Sequence, residues 1–144
     1  MRIAIACDHA AVSLKDELRD WLSGEGHDML DLGTHGPDSV NYPDYGRRLA
    51  DAVASGDAER GIALCGSGIG ISIAVNRNPA VRCALVSEPL SAALARQHND
   101  ANAIAMGARV IGPEMARACV RAFLSTAFLG GRHAARVDML KEPV

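Results

Sequence analysis

The sequence predicts a doubly wound α/β fold, in which helices cover both faces of a parallel sheet. Short apolar segments alternate with helical patterns along the whole chain, and this alternation is typical of parallel sheets. Hydrophobic residues make up 49% of the sequence, but aromatic residues only 3%. The core must therefore consist mainly of small aliphatic side chains, which let helices pack closely on a sheet.

Five short segments are predicted strands, because each is a brief apolar run bounded by turn or polar residues. They are residues 3–7, 28–32, 61–65, 82–86 and 103–106. The first predicted helix carries Leu14, Leu18 and Leu22 on one face, as their spacing shows, and ends at Gly24. Further helices are predicted from about 43, at 69–75, at 89–97, at 113–128 and in a short C-terminal segment after 131.

Length and charge exclude several classes of protein. At 144 residues the chain has the size of one domain, residues 1–144, with room for a core. The net charge is −2 and no Lys/Arg tract occurs, so we expect no binding to nucleic acid or to a membrane surface. No apolar run reaches the roughly 18 residues that a membrane-spanning helix needs.

The four cysteines, Cys7, Cys65, Cys83 and Cys119, occur singly. In a chain of this size, that pattern indicates free thiols in a reducing compartment rather than a disulfide framework. Because no charged segment leads into a long apolar one at the N-terminus, no signal peptide is predicted. We therefore expect a cytoplasmic protein.

The most informative stretch is CGSGIGIS at residues 65–72, of which residues 65–70 are called the glycine loop below. It follows a predicted strand and leads into a predicted helix. Glycines at alternate positions allow a tight turn that brings backbone N–H groups close to a bound oxyanion. The positive end of a helix favours a thiolate, so Cys65 is a candidate base or nucleophile beside anion-stabilising donors.

Four other motifs fit this stretch poorly. A dinucleotide fingerprint needs Gly or Ala three residues after Gly68, where Ile71 stands. A triphosphate-binding loop needs Gly-Lys-Ser/Thr, and this loop has no lysine. A nucleophile elbow around Ser67 fails because Cys65 occupies its first glycine position, and a thiol phosphatase would need an arginine in place of Ile71.

In open parallel sheets, ligands bind beyond the carboxyl ends of the strands. Asp8 and His9 follow the first predicted strand, the glycine loop follows the third, and Ser87 and Glu88 follow the fourth. We therefore expect an acid, an imidazole, a thiol and the glycine loop at one edge of the sheet. A structural role is the alternative for Asp8, since aspartate favours helix N-caps.

Basic residues near the C-terminus form a second candidate site. Arg132 and Arg136 lie four residues apart and so share one face of the last predicted helix. Two guanidinium groups on one face suit a phosphate dianion, and an exposed basic face is the structural alternative. His98 lies in a polar stretch at a helix end, where the dipole also favours a histidine without any function.

Seven short motifs extend over the chain nearly end to end. They are IACDH at 5–9, NYP at 41–43, CGSGIGIS at 65–72, SEP at 87–89, RQHNDAN at 96–102, GARV at 107–110 and GGRH at 130–133. Together, in this order, they resemble the type B ribose-5-phosphate isomerases and the related galactose-6-phosphate isomerase subunits. Each motif is weak alone, but their joint occurrence is specific.

The resemblance implies a flavodoxin-like three-layer sandwich and a homodimer with shared active sites, and it leaves open whether dimers pair into tetramers. It also implies that a small phosphorylated sugar is converted between aldose and ketose without a metal or other cofactor. The resemblance implies that Cys65 is the base that moves a proton between C2 and C1, and that the loop of Gly66, Ser67, Gly68, Ile69 and Gly70 stabilises the enediolate. It implies that Asp8 and His98 open the ring and that Asn99 and Tyr42 contact the sugar. The implied phosphate ligands are His9, Arg109, Arg132 and Arg136.

Three positions place the chain within the family. One branch lacks the cysteine and uses a glutamate where Ile71 stands, so Cys65 together with Ile71 indicates the thiol branch. Ser67 replaces a frequent threonine but keeps the hydroxyl group. Leu90 replaces a tyrosine that is frequent after Ser-Glu-Pro, which leaves ribose, allose, galactose and tetrose phosphates open as substrates.

Two alternative functions remain open. A Cys65–His98–Asp8 hydrolase would form an acyl-enzyme. A sensor would bind the sugar phosphate without turnover. Cys65, His98, Asp8 and His9 could separately form a metal site, although their spacing matches no familiar zinc pattern.

Overall fold

The computed structural model describes residues 1–142. Five strands form one sheet, and every pair of neighbouring strands is parallel. The strands are β1 (Arg2–Cys7), β2 (Asp28–Asp31), β3 (Arg60–Cys65), β4 (Cys83–Leu85) and β5 (Ala103–Gly107). The five predicted strands are thus confirmed, with small changes at their ends.

The helices also follow the predicted order. They are α1 (Val12–Gly24), α2 (Tyr42–Ser55), α3 (Ile69–Val75), α4 (Pro89–Asn99), α5 (Pro113–Ser125) and α6 (Arg132–Leu140). The prediction of a helix to residue 128 is wrong: α5 ends at Ser125, because Thr126 is extended and its hydroxyl donates back to the Ala122 carbonyl. Within residues 1–142, none of these helices has the length and apolar character that a bilayer crossing requires.

The strand order in the sheet is β2-β1-β3-β5-β4. This order confirms the doubly wound α/β sandwich, and it differs from the flavodoxin order 2-1-3-4-5 in that β4 and β5 exchange places. Cys65 at the end of β3 pairs in register with Gly107 at the end of β5. The segment that follows β5, rather than the one that follows β4, therefore borders the glycine loop.

The two faces of the sheet carry side chains of different size. The face toward α1, α4 and α5 presents Ile3, Ile5, Ile62, Leu64, Ile104 and Met106. The face toward α2 and α3 presents Ala4, Ala6, Ala63, Ala103 and Ala105. A Cβ on Gly61 would lie 2.7 Å from Leu49 Cδ2, so glycine is needed where α2 packs closely on β3. Because side chains alternate along a strand, Cys65 belongs to the alanine face, where α3 begins.

Helix α6 lies outside these layers and packs on α4. The Leu129 N–H donates to the Gln97 carbonyl at 3.1 Å, which ties the segment before α6 to the last turn of α4. Val137 is buried in this contact region, with 3% of its surface exposed. The first turn of α6 is thereby held beside the end of α4.

Candidate active site

A cavity of about 330 Å³ opens at the carboxyl edge of the sheet, where the glycine loop leaves β3. Its wall is built from four segments that are distant in the sequence. The wall residues are Asp8, Tyr42, Cys65, Gly66, Ser67, Gly70, Arg109 and Val110. All of them except Val110 are site residues that the sequence predicts, so the fold brings half of the predicted site together.

The thiol of Cys65 accepts a hydrogen bond from within the glycine loop. The Gly68 N–H donates to Cys65 Sγ at 3.1 Å, which places a positive partial charge beside the sulfur. Gly68 has a φ of +78°, and a Cβ there would lie 2.7 Å from Leu85 Cδ1 and from the Met106 carbonyl carbon. Only glycine therefore lets the loop fold back so that its N–H points at the sulfur.

Ser67 holds the loop on one side and offers a donor on the other. Its Oγ accepts the Ile69 N–H at 3.2 Å, so the hydroxyl hydrogen can be donated to a ligand. A Cβ on Gly107 would lie 2.5 Å from the Ser67 carbonyl carbon, and glycine at this position lets the end of β5 contact the loop. Since the first N–H groups of a helix lack intrahelical partners, the start of α3 adds donors directed toward this edge.

Arg109 reaches the cavity because β5 lies next to β3. The Ala108 N–H donates to the Cys65 carbonyl at 2.9 Å, and the Arg109 N–H donates to the Gly66 carbonyl at 3.0 Å. The guanidinium group lies over Gly66, where a Cβ would be 3.3 Å from Arg109 Nη1. The exchange of β4 and β5 in the sheet thus supplies a cation at the mouth of the cavity.

The same exchange separates the segment after β4 from the cavity. Ser87 and Glu88 follow β4, which is the outer strand, and neither lines the cavity. Glu88 instead caps α4, where its carboxylate accepts the Ser91 N–H at 2.9 Å, and hydrogen bonding to the side chain and then the backbone of Ser91 holds the pKa of Glu88 below its ordinary value. Leu90 is 66% exposed and does not line the cavity.

Tyr42 forms the wall opposite Cys65 and Arg109. Its side chain is 41% exposed, and its ring lies against Gly70, where a Cβ would be 2.6 Å from Tyr42 Cζ. The missing side chain at Gly70 therefore creates the space that the aromatic ring occupies. Pro43 lies in the first turn of α2 and fixes the direction in which this helix begins.

Asp8 and His9 follow β1 at the same edge. Asp8 is 7% exposed and its Oδ1 accepts the Ala10 N–H at 2.9 Å, so the capping role is confirmed while the residue also lines the cavity. His9 Nδ1 accepts the Val40 N–H at 3.1 Å. The proton of the neutral His9 ring is therefore on Nε2, which can donate. His9 lines a neighbouring cavity together with His35.

The remaining predicted residues lie at the opposite edge of the sheet. Gly61, four residues before Cys65, donates its N–H to the Asn102 carbonyl at 2.9 Å, so the end of α4 is about 13 Å from Cys65 along the strand. His98 and Asn99 occupy this end of α4. Within one chain, the Cys65–His98–Asp8 triad and the four-residue metal site are consequently not assembled.

Arg132 and Arg136 lie on the exposed surface of α6, beside His98. Among the described residues, neither forms an ion pair with a carboxylate. His133, between them, is 8% exposed and stacks on His98, with 4.5 Å between ring centroids and 15° between ring planes. In residues 1–142, no group of three or more His, Cys, Asp and Glu side chains is placed to hold a metal ion.

The other three cysteines are core residues, as the sequence predicts. Burial raises the pKa of Cys7 and Cys83 to about 12, and it also raises the pKa of Cys119. None of them lines the cavity that contains Cys65. The thiols thus fall into one that faces a cavity and three that remain protonated in the core.

Sequence reasoning missed two residues. Val110 is 62% exposed at the mouth of the cavity, and its only signal is that it follows Arg109. His133 lies within the GGRH motif, but nothing in the sequence shows that its ring faces His98. Both placements depend on contacts between segments that are distant along the chain.

Comparison with known proteins identifies relatives that match nearly the whole chain. A solved structure of ribose-5-phosphate isomerase B from Clostridium thermocellum superposes with a TM-score of 0.97 at 46% identity, covering 98% of this chain and 95% of that chain. Ribose-5-phosphate isomerase B of Escherichia coli (strain K12) is 44% identical over 96% of this chain and 93% of its own length. A D-erythrulose-4-phosphate isomerase of Pectobacterium atrosepticum is 41% identical over 97% of this chain and 93% of its own length.

The family model described as Ribose/Galactose Isomerase matches residues 3–140. This range includes both edges of the sheet and all the motifs that carry the resemblance. The chain belongs to the ribose/galactose isomerase family and is an aldose–ketose isomerase.

Proposed function

We propose that the chain interconverts ribose 5-phosphate and ribulose 5-phosphate, with Cys65 as the base that moves the proton between C2 and C1. The proposal rests on one observation above all. Cys65 Sγ lines a cavity and accepts the N–H of Gly68 at 3.1 Å. Relatives named ribose-5-phosphate isomerase B, at 44% and 46% identity, support the choice of substrate.

Proton transfer begins with the open-chain aldose. The Cys65 thiolate removes the proton from C2, and the electron pair of the C–H bond moves toward the C1 carbonyl to form an enediolate. Return of the proton from sulfur to C1, with transfer of the O2 proton to O1, gives the ketose. A positioned base contributes about 10²–10⁴-fold to such a step, and no electron acceptor is needed because one carbon is oxidised while the other is reduced.

The glycine loop stabilises the charge that develops on oxygen. Preorganised N–H and O–H donors lower the energy of an oxyanion because they need no reorganisation during the reaction. The backbone from Gly66 to Gly70, with the Ser67 hydroxyl, surrounds the cavity on the sulfur side. Tyr42 and Arg109 form the other walls, where they bind the sugar and the phosphate.

A second copy of the chain supplies the other half of the site. His98, Asn99, Arg132 and Arg136 lie at the far edge of the same sheet, where they do not reach Cys65. In a homodimer they face the cavity of the partner copy, where His98 and Asp8 open the ring and the arginines hold phosphate with His9. The outer residues Ile69, Ile73 and Leu85, which are 53%, 61% and 46% exposed, form an apolar surface beside the glycine loop and suit this contact.

Proton NMR of ribose 5-phosphate in D₂O tests the reaction directly. An isomerase that passes through an enediolate should exchange the C2 proton for deuterium, so its signal disappears. The Cys65→Ala variant should abolish exchange and turnover while it still binds the sugar phosphate. Cys119→Ala, which removes a thiol from the core on α5, is the matched control and should keep activity. Full turnover by Cys65→Ala would refute the proposed base.

A tetrose phosphate is the second candidate substrate. It is favoured by the relative named D-erythrulose-4-phosphate isomerase, which is 41% identical to this chain. Assays of tetrose, pentose and hexose phosphates side by side would decide between them through kcat/KM. Binding without turnover of any of these sugars would instead indicate a sensor, and a trapped acyl-enzyme on Cys65 would indicate a hydrolase.

A further inference from the structure

We propose that His133 is a positioning residue that holds the imidazole of His98 in the orientation needed to open the sugar ring. The inference rests on the proposed function, in which His98 is a ring-opening group. His133 acts through His98 and does not need to contact the substrate. It deepens that function by naming what orients the ring-opening group.

The geometry of the two rings carries the inference. Their centroids lie 4.5 Å apart and their planes are inclined by 15°, so the rings are stacked nearly flat. His133 is 8% exposed and held by its neighbours, while His98 is half-buried in the last turn of α4. A flat buried ring restricts rotation of the imidazole stacked on it, and this restriction sets the direction of both ring nitrogens of His98.

The surroundings keep His133 neutral. Burial lowers the pKa of His133, and the positive charges of His98 on α4 and of Arg132 and Arg136 on α6 lower it further. A neutral His133 avoids the repulsion that two cationic rings at this distance would suffer. The charge of His133 therefore does not oppose the stack.

The stack also fixes the ring-opening group relative to the phosphate ligands. Arg132 and Arg136 flank His133 on α6, and α6 is tied to α4 by the Leu129–Gln97 hydrogen bond. Because His98 is on α4, the stack joins the imidazole and the two guanidinium groups into one unit. Such a unit would bind a substrate whose phosphate and ring oxygen lie at a fixed spacing.

Two reactions of the same enzyme separate ring opening from proton transfer. Ribose 5-phosphate closes into a furanose through O4, so it must be opened before Cys65 can act. Ribulose 5-phosphate stays open, because the oxygen on C5 that would close a five-membered ring carries the phosphate, and exchange of its C1 proton for deuterium in D₂O passes only through the enediolate. The ratio of kcat/KM for isomerisation of ribose 5-phosphate to kcat/KM for this C1 exchange therefore reports ring opening, and a general loss of folding would not change it.

His133→Leu removes the flat ring but keeps an apolar side chain. We expect kcat/KM for isomerisation of ribose 5-phosphate to fall by about 10- to 100-fold, as expected when a positioned group is displaced, with a much smaller change for C1 exchange of ribulose 5-phosphate. His133→Phe keeps a flat ring and should retain the wild-type ratio of isomerisation to exchange. Met139→Ala, at a position of the same helix that is 70% exposed, is the matched control and should leave the ratio unchanged.

The outcomes separate this inference from the proposed function. A His133→Leu variant with the wild-type ratio, beside a His98→Asn variant whose ratio collapses, would overturn the inference alone. An unchanged ratio in His98→Asn would overturn the role of His98 itself. The proton NMR signal of His98 Cε1–H gives a readout that needs no activity: it should shift in His133→Leu because the ring current of His133 is lost, and an unchanged signal would also overturn the inference.

Discussion

Gly70→Ala should displace the Tyr42 ring and so weaken catalysis without loss of stability. A Cβ at this position would lie 2.6 Å from Tyr42 Cζ, whereas ordinary contact begins at 3.4 Å, so the ring must move by about 0.8 Å. A displacement near 1 Å of a substrate-positioning group changes rates by up to about 100-fold. We therefore expect kcat/KM to fall by about 10- to 100-fold, which corresponds to about 1.4–2.7 kcal/mol.

Stability should respond in the opposite direction. Gly70 lies within α3, where alanine is favoured over glycine by about 0.5–1 kcal/mol, and Tyr42 is exposed enough to move outward. Urea unfolding measures the stability, and steady-state kinetics with the sugar phosphate measures kcat/KM. Gly24→Ala, a helical position with no atom within 4 Å of the added Cβ, is the matched control and should leave kcat/KM unchanged.

A double-mutant cycle makes the clash itself testable. In a Tyr42→Ala background the added methyl group has no ring to displace, so Gly70→Ala should have little further effect on kcat/KM. The two substitutions are then strongly non-additive, as expected for residues in direct contact. Equal effects of Gly70→Ala in both backgrounds, or a folded Gly70→Ala variant with wild-type kcat/KM, would refute the reasoning.

Two further predictions concern buried groups. Asp31→Asn should lower the free energy of unfolding in urea by about 3 kcal/mol, because it leaves the fully buried Lys15 ammonium, now 2.7 Å from that carboxylate, poorly paired. Burial alone would raise the pKa of Asp31, but hydrogen bonds from its cationic and N–H neighbours lower it overall. The stabilisation by Asp31 is therefore complete above the ordinary aspartate pKa and is lost as pH falls through the lowered value, and unfolding midpoints that fall equally at acid pH in the wild type and the variant would contradict this. Iodoacetamide should label only Cys65 in the native protein, because burial raises the pKa of Cys7 and Cys83 to about 12 and so keeps these thiols protonated. Bound substrate should protect Cys65 from the reagent. Peptide mass spectrometry measures the labelling, and modification of a core cysteine in the native protein would contradict this prediction.

The helices and strands were predictable because their signals are local. A strand buried in a parallel sheet is a short continuous apolar run, and residues 103–107 fit this description fully, with every residue buried. The end of α5 at Ser125 was missed because the apolar pattern continues to Phe128, whereas the backbone is broken by the conformation of Thr126 alone. The hydrophobic pattern of a sequence shows which face of a helix is buried, but it does not show where the chain turns.

The order of β4 and β5 could not be predicted, because it depends on packing between segments distant in the sequence. Leu85 on β4 is 46% exposed, which shows an outer strand, but its sequence is as apolar as that of β5. Helices α4 and α5 pack against each other on one face, and this contact accompanies the exchange. Arg109, which follows β5, consequently reaches the cavity, whereas Glu88, which follows β4, does not line it.

The candidate site divides in the same way. The glycine loop was predictable because Cys65 and its donors are contiguous, whereas no local signal places Tyr42 over Gly70. The position of His98 at the far edge of the sheet, in contrast, is predictable from the direction in which the chain runs. A helix that precedes a parallel strand ends at the amino edge of that strand, and Cys65 ends its own strand at the carboxyl edge.

This division predicts that two inactive variants restore each other. If Cys65 acts on a substrate held by His98 of a second copy, a heterodimer of the Cys65→Ala and His98→Asn chains contains one intact site and one site that lacks both groups. Random pairing at equal concentrations makes half of the dimers mixed, so the mixture should regain about a quarter of wild-type activity on ribose 5-phosphate after subunit exchange. The matched control pairs Cys65→Ala with the double variant Cys65→Ala/His98→Asn, whose heterodimers contain no intact site. Recovery in the first mixture alone requires that the two groups come from different chains, while no recovery in either mixture would mean that the residues at the far edge of the sheet serve no shared site.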